Sequence, residues 1–223
     1  MKIAINGACG RMGRTVARLA KEAGVEVAAA IDVQEEAGIA RSLEKRADAL
    51  IDFSTPEAAL ARLKECVATK TPAVICTTGF TEAQKAEIAK AAKKIPVVFS
   101  SNTSVGVNLL FKVVPEIAKT LGKDYDLDIV ETHHRFKKDA PSGTAKTLAE
   151  RIEAATGRKV NVHAVRSGDV VGEHRVIFGT LGDCIEITHR ASSRDIFAKG
   201  ALEAAAWAAK AKPGLYSMLD VLS

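Results

Sequence analysis

Aromatic residues are scarce in this 223-residue chain: one Trp, two Tyr and seven Phe, 4% of the whole. That shortage argues against a stacking surface for nucleic acid. No run of basic residues forms a nucleic-acid patch either, and the net charge of +5 is mild. No apolar run is long enough to cross a bilayer. The opening MKIAINGACG reads as a short strand entering a turn, not as a signal peptide. The four cysteines, Cys9, Cys66, Cys76 and Cys184, include no C-x-x-C pair and no metal-ligand spacing. Reduced thiols in a cytoplasmic protein with no metal site are the expectation. What is present is a chain 47% hydrophobic and 26% charged, long enough for one large domain or two small ones.

The first half alternates short apolar runs with helical patterns. Strands are expected at Lys2–Asn6, Val25–Ile31, Ala49–Phe53, Pro72–Cys76 and Pro96–Ser100. Helices are expected at Arg11–Ala23, after Pro56, and after the capping box of Thr81 and Gln84. Such alternation means a parallel sheet covered on both faces. After about Gly106 the rhythm changes. A helix containing Pro115 runs to Leu121 and a strand follows at Leu127–Glu131. Next come a helix over about Ser142–Ala155 and three strands, Val160–Val165, His174–Phe178 and Ile185–Thr188. Adjacent strands suggest a mixed or antiparallel sheet in a second domain. Ser193 is the expected cap of a last helix, Arg194–Lys210, ended by Pro213 and Gly214.

Two segments carry chemistry. In NGACGRMGR, the glycines Gly7, Gly10 and Gly13 stand between the first strand and first helix. There they allow a tight turn and close approach of backbone N–H groups to a pyrophosphate, with the helix end adding partial positive charge. Asp32 ends the second strand, at the separation where an acidic residue binds adenosine ribose. It favours a free 2′-hydroxyl, hence NADH. Arg11 and Arg14 keep use of NADPH open. Cys9 is a small residue in this turn or a reactive thiol at a helix start. CTTGF and SSNTSVGV follow parallel strands, where small hydroxyl residues suit the nicotinamide half of a dinucleotide.

The second segment is ETHHRFKKDAPSGTA, residues 131–145. His133, His134, Arg135, Lys137 and Lys138 precede a helix that Pro141 is expected to open, with Ser142, Gly143 and Thr144 in its first turn. Cationic side chains before a helix end describe a pocket for a small carboxylate. His and Lys are natural proton donors there. The bland alternative is a solvated basic loop beside a capped helix.

The motifs GACGRMGR, IDFSTPEAAL, CTTGF, SSNTSVGVN, ETHHRFKKDAPSGTA, GEHRVIF, HRASSRDIFAKGAL and PGLYSMLDVL resemble the dihydrodipicolinate reductase family, in family order from Lys2 to Leu222. The resemblance implies an α/β chain: a Rossmann-type parallel-sheet domain at 1–105, completed by 194–223, and an α+β domain with a mixed sheet at 106–193. The second domain would bind substrate and build a homotetramer. The implied reaction is NADH- or NADPH-dependent reduction of an unsaturated cyclic dicarboxylate on the route to diaminopimelate and lysine. His133 matches the proton donor and Lys137 the second one. His134, Gly143 and Thr144 match substrate contacts. Gly7, Ala8, Cys9, Gly10, Arg11, Met12, Asp32, Cys76, Thr77, Thr78, Ser100, Ser101, Asn102 and Thr103 match cofactor contacts. One departure is a segment between Asp32 and Asp48 shorter than in longer members. A Rossmann oxidoreductase acting on a semialdehyde would explain the glycine turn alone. A non-catalytic NADH sensor would need no poised His and Lys.

Overall fold

A computed structural model describes residues 1–34, 38–43 and 46–223. Parts of the shortened segment, 35–37 and 44–45, lie outside the described residues. In chain order the elements are β1 (Lys2–Asn6), α1 (Arg11–Glu22), β2 (Glu26–Ile31), β3 (Ile39–Ala40), β4 (Ala49–Asp52), α2 (Pro56–Thr69), β5 (Ala73–Ile75), α3 (Glu82–Ala92) and β6 (Pro96–Phe99). There follow α4 (Val105–Leu121), β7 (Asp126–His133), α5 (Gly143–Thr156), β8 (Asn161–Arg166), β9 (Gly172–Thr180) and β10 (Asp183–Ala191). The chain closes with α6 (Asp195–Ala208), β11 (Gly214–Tyr216) and α7 (Met218–Val221). Two compact units result: Met1–Ser104 with Asp195–Ser223, and Val105–Arg194.

The first unit is a seven-stranded parallel sheet in the order β11-β6-β5-β4-β1-β2-β3. Its strands are apolar because both faces are covered. On one face pack α1, through Val16, Leu19 and Ala20, and α6, through Ala198, Ala201, Ala204 and Ala205. The other face receives Leu63 and Cys66 from α2 and Ile88 and Ala92 from α3. Thr55 caps α2 ahead of Pro56, and Thr81 with Gln84 forms a full capping box on α3. β11 extends the sheet by pairing with β6, and α7 follows it; neither is expected from sequence.

The second unit has four strands in the order β10-β9-β7-β8; β7 and β8 are parallel and the other pairs antiparallel. Leu110, Phe111 and Val114 of α4 and Leu148 and Ile152 of α5 pack with Ile129, Val176 and Phe178 of the sheet. Strand β7 alternates strictly: Leu127, Ile129, Glu131 and His133 are its buried residues. It runs two residues beyond the expected end at Glu131, because Thr132 and His133 pair with Val165 and Arg166 of β8. His133 therefore stands on a strand rather than in a loop. α5 begins at Gly143; Ser142 is its extended N-cap, with φ −63° and ψ 155°, so Pro141 precedes the helix instead of opening it. Similarly, α6 starts at Asp195, not Arg194.

Candidate active site

At the end of β1, Gly7 has φ +80°, and a Cβ there would lie 2.4 Å from the Phe53 carbonyl oxygen. A Cβ on Gly13 would lie 2.2 Å from the Gly7 oxygen. Both positions thus require glycine for the turn to close. The amides of Gly7 and Ala8 donate to Ile31 O at 2.9 and 3.1 Å, and that of Gly10 to Gly7 O at 3.1 Å. Cys9 N–H donates to Asp32 Oδ2 at 2.9 Å. Gly7 to Gly10 accordingly shape the turn. The first rung of α1 runs from Arg14 N–H to Gly10 O, so the amides of Arg11, Met12 and Gly13 precede the ladder and head toward an incoming anion. The N-cap, Gly10, supplies no side-chain acceptor to them. These features fit a dinucleotide pyrophosphate.

The Asp32 carboxylate also accepts from the amides of Val33 (2.7 Å) and Gln34 (3.2 Å). Burial alone would raise its pKa, but the Cys9, Gln34 and Val33 amides outweigh that and hold it below the usual carboxylate value. Arg41 Nη1 donates to Val33 O. That places a guanidinium at the end of β2, which the run Asp32-Val33-Gln34 does not reveal.

A cavity of about 280 Å³ is lined by Gly10, Arg11 and Met12 and, opposite them, by Phe53, Ser54, Cys76, Thr77 and Thr78. Beneath it Asp52 is fully buried. Asn6 Nδ2 (2.6 Å), Ser54 Oγ (2.5 Å) and Thr77 Oγ1 (2.6 Å) all donate to its carboxylate. Burial raises the Asp52 pKa despite these donors. This hub ties the ends of β1, β4 and β5 together and takes up the Thr77 hydroxyl, leaving Thr77 to offer backbone to a ligand. Cys76 is buried, and burial pushes its thiol well above the usual value. Cys9 is buried too. After β6, Ser100 Oγ donates to Asn102 O at 2.7 Å, Asn102 Oδ1 accepts from Ser104 N–H at 2.9 Å, and Thr103 Oγ1 donates to Phe197 O at 2.6 Å. Ser101 lies exposed between them.

In the second unit the covered face of β7 and β9 changes character along the strands. Leu127 pairs with Phe178 and Ile129 with Val176; the next pair is Glu131 with His174. Beyond it His133 Nε2 lies 3.0 Å from where a Cβ of Gly172 would be, so the glycine makes room for the imidazole. Glu131 has no exposed surface. Its Oε2 meets His133 Nδ1 at 2.5 Å. Arg166 donates to both of its oxygens, at 2.9 and 2.8 Å, and Ser142 N–H donates to Oε1 at 3.1 Å. Burial would raise the Glu131 pKa, but Arg166 and His133 hold it below the usual value. Burial, with Lys137 and Arg166, lowers that of His133 against the raising effect of Glu131, leaving it below the usual imidazole value.

His174 lies edge-on to His133, with ring centroids 5.2 Å apart. Ser142 Oγ accepts from Ala145 N–H and lies within hydrogen-bond distance of His174 Nε2, 3.1 Å away. Burial, then the neighbouring His133, push the His174 pKa down to about 3. Lys137 Nζ pairs with Asp139 at 2.8 Å, and the Lys137 amide donates to His134 O to close the turn. His134 is buried at the start of that turn, and Gly143 and Thr144 open α5 beside Ser142. Glu131, Arg166, Gly172 and His174 are not among the residues that sequence reasoning selects. The signal for Glu131 was its spacing: two residues from His133 on a strand, hence on the same face. Among the described residues no group of three His, Cys, Asp or Glu side chains is arranged to hold a metal ion. No described helix is long and apolar enough to cross a membrane.

The family models and relatives that this two-unit chain matches make it an oxidoreductase with a Rossmann-type nucleotide-binding unit. Residues 1–103 match the dihydrodipicolinate reductase N-terminus and residues 106–222 the dihydrodipicolinate reductase C-terminus. The chain belongs to the dihydrodipicolinate reductase family. It is 44% identical over 263 aligned residues to 4-hydroxy-tetrahydrodipicolinate reductase of Magnetococcus marinus, covering 100% of this chain and 98% of that one. It is 42% identical over 262 to the enzyme of that name from Geobacter metallireducens, with the same coverage. These alignments exceed the 223 residues of this chain, so the relatives carry insertions that it lacks. The fold matches a dipicolinate-bound dihydrodipicolinate reductase from Paenisporosarcina sp. TG-14 with TM-score 0.81 and 22% identity, over 100% of this chain and 99% of that one.

Proposed function

We propose that this chain reduces the dihydrodipicolinate formed from 4-hydroxy-tetrahydrodipicolinate by loss of water, giving tetrahydrodipicolinate in diaminopimelate and lysine biosynthesis. The observation that carries the reading is His133, buried beside an anionic Glu131, with the start of α5 close by through Ser142. The bound reduced nicotinamide supplies the hydride. Hydride addition to a conjugated C=C–C=N system leaves an electron-rich enamine that needs a proton. His133 gives that proton from Nε2, and Lys137 assists. Gly143 and Thr144 at the helix start, with His134, hold the carboxylates. Either NADH or NADPH serves, with NADH at least as effective: the Arg11–Gly13 amides receive the pyrophosphate and Asp32 the ribose. Support for a homotetramer through residues 106–193 comes from β10, a nine-residue strand at the sheet edge. Light scattering that finds a monomer at micromolar concentration rejects it.

The test of the activity is the purified chain with freshly made 4-hydroxy-tetrahydrodipicolinate and NADH, followed by the loss of reduced-nicotinamide absorbance. Turnover is expected. Cofactor binding without turnover would leave a nucleotide sensor, and turnover only with a semialdehyde would leave a different oxidoreductase.

A further inference from the structure

Fully buried Glu131 and half-buried Arg166 are joined by two hydrogen bonds. Glu131 Oε2 also meets His133 Nδ1. The alternation of β7 forces this meeting, since residues 131 and 133 share the covered face. A carboxylate hydrogen-bonded to one imidazole nitrogen decides which nitrogen keeps its proton. Gly172, without a side chain, stands next to the other nitrogen, Nε2. We propose that Glu131, kept anionic by Arg166, is the positioning residue of His133: it holds a proton permanently on Nδ1, so that Nε2 alone gives and regains the transferable proton. This rests on the reading of His133 as proton donor.

The step balances within the site. The Nε2–H bond breaks, its electron pair stays on Nε2, and the proton forms a new bond to the electron-rich ring left by hydride addition. Nδ1–H remains on Glu131, and water restores the proton to Nε2. The charged and titratable groups facing this pair are Arg166 from β8, Lys137 with Asp139 from the following turn, and neutral His174 from β9; Ser142 N–H faces it from the start of α5. Only Glu131 among them both carries a negative charge and touches the ring of His133. A merely structural Glu131 would leave the proton on either nitrogen and the pH profile of turnover unmoved.

The experiment has two arms on the full chain. In the first, ¹⁵N-histidine NMR above the titration of His133, with its signals assigned by their loss in His133→Gln, is expected to show Nδ1 protonated and Nε2 bare. The opposite tautomer overturns the proposal. In the second, Glu131→Gln is expected to lower kcat at least about tenfold. It should also move the alkaline fall of kcat/KM to lower pH by about 1–3 units, because the anion that favours the charged imidazole is gone. The double variant with His133→Gln should be no slower than His133→Gln alone. A Glu131→Gln enzyme with the wild-type pH profile, or losses that multiply in the double variant, overturns the proposal. Where Glu131→Gln leaves Arg166 unpaired and the chain unfolded, Glu131→Gln with Arg166→Met takes its place; if that also fails, the wild-type tautomer decides. Normal turnover in His133→Gln itself would sink the proton-donor reading instead, while the tautomer would still decide the pairing.

Discussion

A Cβ on Gly200 would lie 1.8 Å from the carbonyl oxygen of Thr103. The helix α6 can approach the segment after β6 only because position 200 has no side chain, and the Thr103 hydroxyl fixes that approach by donating to Phe197 O. Gly200→Ala must push the helix away. The expected cost is about 2 kcal/mol or more, toward the upper end for overpacking. A lowered urea midpoint together with weaker NADH binding by fluorescence is the expected result. Wild-type values for both would mean that α6 shifts without consequence.

His133→Gln should lower kcat by roughly 10²–10⁴, the usual range for loss of a general acid. NADH affinity should change little, since the glycine turn and Asp32 belong to the other unit. Thr144→Val should instead raise KM for substrate more than it lowers kcat, as expected for a lost carboxylate contact. Steady-state kinetics with a parallel fluorescence titration of NADH separates the two patterns.

His174 gives the fold a pH dependence of definite sign. Its pKa falls from 6.5 in the unfolded chain to about 3 in the folded one. Above pH 6.5 both states are neutral and nothing is lost. Below it the unfolded chain binds a proton that the folded chain refuses, so stability declines as pH falls toward 3, by up to roughly 5 kcal/mol. Thermal midpoints measured from pH 7 to pH 4 should fall less steeply for His174→Gln than for the wild type. Parallel curves would show that other groups govern the acid limb.

Arg41 bears on cofactor choice. In the proposed cofactor site Asp32 would favour a free ribose hydroxyl, while the Arg41 guanidinium at Val33 O is a cation that a 2′-phosphate would recruit. Arg41→Ser is expected to reduce kcat/KM with NADPH about tenfold or more and to leave NADH nearly unaffected. A wild-type preference for NADPH of tenfold would defeat the proposed ranking. Equal losses with both cofactors would mean Arg41 acts on the loop rather than the phosphate.

Local chemistry made much of this fold legible. Pro56, and the Thr81–Gln84 box, announce helices that form where expected, the box with both of its hydrogen bonds. Partners far away in sequence set what was not legible. β11 is three residues long and exists through its pairing with β6, and β7 reaches His133 only because β8 lies alongside. The same cause hid Glu131. Within ETHHR it reads as one more charge beside a basic loop; its burial depends on Arg166, thirty-five residues later. Thr77, in turn, reads as a ligand hydroxyl, whereas Asp52 from a different strand claims it.

The parallel sheet draws on both ends of the chain, while Val105–Arg194 is one uninterrupted stretch. During synthesis, therefore, the inserted unit has all of its residues before the flanking unit has α6 or β11. The nascent nucleotide-binding half must wait with one side of its sheet covered by α1 alone: the side that Ala198, Ala201, Ala204 and Ala205 will complete. Its apolar strands are open to aggregation until the last stretch leaves the ribosome, so the order of translation makes the cofactor unit the late and vulnerable step of this protein's maturation.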